Sequence, residues 1–293
     1  MVDRTNATST TAGILRPAEL LRHASLERVA SGAALGAYVE NHWCLRWDLP
    51  EGRSFTSRTL PHPACTLRLE LGQPRAGVGE DRLVVTGVVT RRFDITLTGR
   101  GWVLGTKFRP GGLAALAGAR ARDWTDRTLP AAQVLPAAVL APVRGLTADV
   151  SPADAAAVAD DALSGILPER ADPVYASLLG LVTTMLADRD LQRVTQLEQL
   201  TGWSRRRLER SFATYVGATP KWVLARYRMH DVVAALDAGY DGSLADLAAS
   251  SGWYDQAHFG REFTALVGLP PSEYRAHARE RRSGSTGSPQ QRA

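Results

Sequence analysis

Ser204-Arg205-Arg206-Arg207-Leu208-Glu209-Arg210-Ser211-Phe212 and Asp255-Gln256-Ala257-His258-Phe259-Gly260-Arg261-Glu262-Phe263 decide the reading of this chain, because the second repeats the first. Ser204, Leu208, Arg210 and Phe212 recur fifty-one positions later as Asp255, Phe259, Arg261 and Phe263, and Gly217 and Pro220 recur as Gly268 and Pro271. Just upstream the offset is fifty: Val194, Leu197, Gly202 and Trp203 return as Leu244, Leu247, Gly252 and Trp253, so one residue is gained inside the second copy. A pattern kept in order over this many positions is an internal repeat, and its unit is a supersecondary motif.

Each copy reads as a short helix, a glycine turn, a capping residue and a second helix, the order of a helix-turn-helix. Ser204 and Asp255 are suited to accept from the free amides that open the second helix. Leu208 with Phe212, and Phe259 with Phe263, lie one turn apart and share a buried face. At 100° per residue the opposite face then carries Arg206, Glu209, Arg210 and Ala213 in the first copy, and Ala257, Gly260, Arg261 and Thr264 in the second. Arginine can donate two hydrogen bonds to a guanine edge and glutamine can pair with an adenine edge, so Arg206, Arg210, Gln256 and Arg261 are candidate base readers. Arg205, Arg207 and His258 flank the helices and are candidates for phosphate.

Between the copies, Val223, Leu224, Tyr227, Val232, Ala235 and Leu236 have helical spacing over Pro220 to Ala238. Such a helix spans about 27 Å, long enough with its turns to hold two recognition helices near the roughly 34 Å separation of successive major grooves. Charge is distributed unevenly. From Trp203 to Arg228 there are seven basic side chains (Arg205, Arg206, Arg207, Arg210, Lys221, Arg226, Arg228) against Glu209, whereas from Met229 to Tyr274 seven acids oppose Arg261. The first copy is therefore expected to grip DNA more strongly than the second.

The run Gly252-Trp253-Tyr254-Asp255-Gln256-Ala257-His258-Phe259-Gly260-Arg261-Glu262-Phe263, followed by Gly268-Leu269-Pro270-Pro271-Ser272-Glu273-Tyr274-Arg275, resembles the signature of the AraC family of transcription regulators. Ser204 to Phe212 resembles the first recognition helix of that family. The resemblance covers about the last hundred residues and implies that Arg206, Glu209, Arg210, Gln256, Ala257, Gly260 and Arg261 occupy base-facing positions. It implies double-stranded DNA as the partner, with RNA polymerase, a second copy of the chain and a small-molecule effector as further ones. The first copy departs from the pattern: Leu197-Glu198 stands where the second has Leu247-Ala248, and Arg193 stands where Ser243 would cap.

The rest of the chain predicts an α+β protein, with a β-rich domain over residues 15–140, a helical linker over 141–171 and the all-α double helix-turn-helix over 172–280. Residues 1–14 and 281–293, polar and without periodicity, are expected to be disordered. Period-two alternation marks strands at Trp43-Leu45-Trp47 and Leu67-Leu69-Leu71, with further strands over 83–90, 93–98 and 102–108, while residues 18–30 read as a helical patch. The stretch Gly105-Thr106-Lys107-Phe108-Arg109-Pro110-Gly111-Gly112 resembles, less closely, cupin-like domains that precede such DNA-binding regions and that bind effectors or dimerise. Trp43, Trp47 and Trp102 are candidates to line a pocket, with Arg109 for an anionic group. Since residues 172–280 hold both repeats, they are expected to bind DNA without the β-rich domain.

Other functions are set against this. A metal-dependent barrel enzyme would use His42, His62 and Glu70, which have suitable donors but no ligand spacing, so no cofactor is expected. A methyl-transfer repair function would need an activated thiol, and the chain has just Cys44 and Cys65, both beside apolar residues. No run of residues approaches the length of a membrane span and no signal peptide is read at the start, so a cytoplasmic protein is expected.

Overall fold

In the computed structural model, which describes residues 13–73 and 81–285, nine strands form two antiparallel sheets among these residues. The larger has the order β2 (Ala24–Ala30), β3 (Val39–Asp48), β8 (Arg100–Phe108), β5 (Thr66–Gly72), β6 (Leu83–Thr86), β9 (Thr128–Pro130). The smaller has the order β1 (Ile14–Leu15), β4 (Ser54–Thr59), β7 (Phe93–Thr98). Alternation assigns the two faces of the larger sheet. Leu45 and Trp47 of β3 and Val103 of β8 meet Leu97, Phe55 and Ile95 of the smaller sheet, whereas Cys44, Leu67, Leu69, Trp102, Leu104 and Phe108 join a core on the helical side. Trp43 lies opposite Gly105 and Trp47 opposite Gly101, and a Cβ at either glycine would fall 2.1 Å from the indole. Glycine there lets each ring lie across the neighbouring strand.

Residues 24–30, expected within a helical patch, are instead strand β2, in register with β3 from Ala24↔Trp47 to Ala30↔Asn41, and helix is confined to α1 (Pro17–Leu20). Pairing along a whole strand outweighs the weak helical preference of an Ala-, Leu- and Glu-containing segment. The expected strand over 83–90 ends at Thr86. Ile14 belongs to β1, and residues 281–285 belong to α11 (Pro271–Ser285); the remainder of the two ends expected to be disordered lies outside the described residues.

Helices cover the outer face of the large sheet: α2 (Gly112–Ala117), α3 (Ala137–Arg144) and α4 (Pro152–Ser164). Pro142 sits inside α3. Ser151 caps α4 by accepting from the Asp154 amide at 3.1 Å, with Pro152 in the first turn. Within residues 141–171, read as a linker, α4 docks on the sheet: Asp160 accepts from the Gly32 amide at 2.7 Å and meets His42 Nε2 at 2.8 Å. Helix α5 (Pro173–Ala187), capped by Asp172, buries Tyr175, Leu178, Leu181, Val182 and Met185 in the same core. That core runs without interruption from the sheet to Leu208, Phe212, Val216, Val223, Leu224 and Tyr227.

Candidate nucleic-acid interface

The first repeat folds as α6 (Val194–Thr201), a left-handed Gly202 at φ 66°, and α7 (Arg205–Ser211), which passes into one π-helical turn over Phe212–Val216. Ser204 Oγ accepts from the Arg207 amide at 3.4 Å. Arg193 supplies no side-chain cap to α6; Gln196 Oε1 instead reaches back to the amides of Gln192 and Arg193, both at 2.9 Å. The Gln196 amide, the one a capping serine would hold, bonds instead to Arg193 O at 3.1 Å, while the Gln196 side chain satisfies the amides at and before the cap position. In the second repeat Ser243 Oγ accepts from the Asp246 amide at 2.9 Å, α9 (Leu244–Ser250) leads to Gly252 at φ 82°, and Asp255 caps α10 (Gln256–Val267) through the His258 amide at 2.7 Å. The residue gained in the second copy is Tyr254, fully exposed immediately before that cap.

Burial separates the two faces of each recognition helix as the periodicity predicts. Leu208 and Phe212, and Phe259 and Phe263, are fully buried, while Arg205, Arg206, Arg207, Glu209, Arg210, Gln256, Ala257, His258 and Arg261 are all exposed. Gly260 lies on the outward side of α10, and an added Cβ would meet nothing within 4 Å. Among the described residues Arg205, Arg206, Arg210 and Arg261 have no ion-pair partner. Arg207 is different, for its guanidinium stacks over Trp203 with 4.3 Å to the ring centroid. His258 is held by Glu262 at 3.4 Å, and Glu262 also accepts from Trp253 Nε1 at 2.7 Å.

Two of the seven basic residues counted in the first segment do not serve this surface. Arg226 is buried, donates to Thr90 O at 3.0 Å and stacks on Trp222, and burial pushes its pKa down to about 10. Arg228 packs over Trp253 and donates to Gly252 O at 2.9 Å. Both point inward from α8 (Pro220–Asp237), the helix that joins the repeats, and a count of charges along the sequence cannot see that.

The same helix is tied to the β-rich part. Besides Arg226 and Thr90, His230 stacks on His62 with centroids 4.1 Å apart, and its Nε2 lies 3.3 Å from Pro61 O. Leu15 and Leu60 enter the core of the second repeat beside Met229, Val232, Phe259 and Tyr274. On the first repeat, Thr125 Oγ1 donates to Gly217 O at 2.6 Å and Tyr215 hydrogen-bonds to Asp172. Nothing local in the sequence marks these long-range ties.

Of the residues proposed for an effector, Trp43 lines a cavity of about 200 Å³ between the two sheets. Trp47 is buried over Gly101 and donates to Thr98 O at 3.0 Å, Trp102 lies in the helical-side core, and Arg109 Nε donates to Gly36 O at 2.5 Å, so these three stand outside the cavity lining. The metal alternative finds its donors dispersed. His42 is engaged by Thr106 Oγ1 at 2.9 Å and by Asp160, His62 stacks on His230, Glu70 lies 3.5 Å from Arg68, and among the described residues no three His, Cys, Asp or Glu side chains gather as a metal site. Burial pushes the Cys44 thiol up to about 11 and Cys65 up to about 12, the reverse of an activated nucleophile. No described helix is long and apolar enough to cross a membrane.

Residues 197–277 match a family described as a helix-turn-helix domain, and residues 27–130 match a domain of unknown function (DUF6597). A protein of Streptomyces lividans named as an AraC-like transcription regulator is 33% identical over 122 residues, covering 41% of this chain and 38% of that protein. A Streptomyces antibioticus protein of the same description is 33% identical over 119 residues, again 41% and 38% of the two chains, so the match spans well under half of either relative. Among solved structures, ToxT from Vibrio cholerae aligns over 86% of this chain and 97% of its own at 10% identity with a TM-score of 0.39. The xylose-binding transcription activator xylR aligns over 42% and 39% at 16% identity with a TM-score of 0.30.

Proposed function

We propose that this chain is a sequence-specific DNA-binding transcription regulator of the AraC type rather than an enzyme, a reading supported by the helix-turn-helix match over residues 197–277 and the likeness to AraC-like regulators. The observation that carries this is the outward face of α7 and α10: Arg206, Arg210, Gln256 and Arg261 are exposed on helices whose other faces are locked into a core. A helix held this way presents its side chains without first ordering them, which is what base-edge recognition in the major groove demands. Arg206, Glu209, Arg210, Gln256, Ala257, Gly260 and Arg261 face the bases, and Arg205, Arg207 and His258 meet phosphate. Helix α8 spaces the two units for successive major grooves of one duplex, so one chain covers two half-sites.

The β-rich part acts as the sensor. Its contacts with α8 through Thr90, Pro61 and His62 give an occupant of the sheet cavity a direct route to the helix that sets the spacing between recognition helices. The chain works in the cytoplasm on chromosomal DNA.

Selection of sites from a random duplex library by the full chain tests the reading. The expected result is a two-part motif with half-sites about one helical turn apart. Recovery of no motif, with equal affinity for all duplexes, would reduce the protein to a non-specific binder.

A further inference from the structure

The cavity between the sheets is lined on most of its surface by apolar side chains, among them Leu26, Trp43, Phe93, Ile95 and Leu97. Among the described residues its charged lining is of one sign: Arg28, Arg68 and Lys107 border it, and no Asp or Glu does. The register explains how they meet. Ala30 pairs with Asn41, Asn41 with Lys107 and Lys107 with Thr66, so Arg28, Asn41, Lys107 and Arg68 come from four adjacent strands, β2, β3, β8 and β5, and all four line the cavity. Behind the cations, Glu40 lies 3.2 Å from Lys107 Nζ and Glu70 lies 3.5 Å from Arg68. Among the described residues, two carboxylates against three cations leave positive charge in excess at this end of the cavity.

Asn41 adds an independent sign. Its side chain is buried at 5% exposure, and neither Nδ2 nor Oδ1 has a hydrogen-bond partner among the described residues. A buried amide with no partner is costly, about 1–3 kcal/mol, and persists where a bound group completes it. Burial also holds the Lys107 and Arg28 pKa values below their ordinary ranges, with the Glu40 carboxylate opposing that fall. Desolvated cations of this kind favour an anion that arrives with its own apolar body.

We infer that the inter-sheet cavity is a binding site for a small apolar monocarboxylate, with its carboxylate on Lys107, Arg28 and Asn41 and its body among Trp43, Phe93 and Leu97. A cavity of about 200 Å³ slightly exceeds one of about 150 Å³ that accepts benzene, which sets the body at one aromatic ring or a short branched chain. A single surplus of positive charge matches a monoanion better than a phosphate. This gives a chemical class to the effector role proposed above, yet the site can be tested without DNA, so its failure and the failure of the regulator reading are separate results.

The full-length chain is titrated by calorimetry with benzoate, phenylacetate and hexanoate and with the corresponding neutral amides. At least one acid is expected to bind more than tenfold tighter than its amide, the value of a charge-assisted hydrogen bond. Lys107→Met and Arg28→Met, each checked for the wild-type circular dichroism spectrum and thermal transition, should each remove most of that preference while leaving amide binding in place. Acids and amides binding alike, none of the six binding, or both variants keeping the full preference for acid would overturn the assignment.

Discussion

Gly260→Leu separates folding from DNA recognition, because the two respond in opposite directions. Gly260 lies inside α10, where glycine is about 1 kcal/mol less favourable than alanine or leucine. A Cβ there meets no heavy atom within 4 Å, so the first carbon of the new side chain enters open space. The fold should gain about 0.5–1 kcal/mol, seen as a rise in Tm of roughly 1–2 °C for a chain of this length. On DNA the same side chain would stand between Gln256, Ala257 and Arg261, where the proposal puts the base edges. Lifting α10 by the thickness of an isobutyl group removes at least one bidentate base contact, worth about 1–3 kcal/mol, or roughly fivefold to 150-fold in affinity. Gly180→Leu on α5 is the control, for a Cβ there also meets nothing within 4 Å and α5 lies outside both repeats, and it should raise Tm without changing affinity. Thermal melting and fluorescence anisotropy on a selected duplex measure both quantities. Unchanged affinity for Gly260→Leu would show that this face of α10 does not approach DNA, and a fall in Tm would show that the face is not open.

Arg210→Ala should weaken binding by about 1–3 kcal/mol and relax preference at one base pair, read from a panel of single-base variants; an equal loss on every duplex would make it a phosphate contact. Arg205→Ala should lower the slope of log affinity against log salt by about one, and His258→Ala by less, since Glu262 already holds His258; equal slopes would contradict the assignment. Gly217→Ala places a Cβ 2.7 Å from Thr125 Oγ1 and 2.9 Å from Ala121 O at φ 81°, and should cost at least about 1–2 kcal/mol in urea unfolding; a neutral result would mean that the contact between the first repeat and the β-rich part is loose. Cys65, with its thiol pushed up to about 12 by burial, should stay unmodified by iodoacetamide at pH 8 in the native protein and react once it is unfolded.

Residues 172–280 alone, expected from the sequence to bind DNA, should lose the cooperative melt of the first repeat. Leu208, Phe212 and Val216 share one core with the sheet and with α2, and the fragment would expose that side of the core to water. A fragment that melts like the full chain would show that the repeat is stable by itself.

The double helix-turn-helix was legible in the sequence because its determinants are local. Helical periodicity fixes which face Leu208, Phe212, Phe259 and Phe263 bury, and a cap or a glycine acts within a few residues of its own position. Arg206, Arg210 and Arg261 on the outward face followed from the same arithmetic. What lay beyond the sequence were relations between distant positions. Arg226 and Arg228 read as part of a basic surface, yet they turn inward because Thr90 O and the rings of Trp222 and Trp253 receive them. Residues 24–30 became a strand because β3 offered a free edge; Trp47 and Arg109 were taken from the cavity by partners on other strands and loops, and Trp102 by the alternation of β8, which turns it to the helical-side core. Arg28, Asn41, Lys107 and Arg68 are spread over eighty residues of sequence, and they meet because hydrogen-bond register sets β2, β3, β8 and β5 side by side. Local chemistry settled the helices and their faces; long-range pairing decided which charges remained outside and which were brought together within.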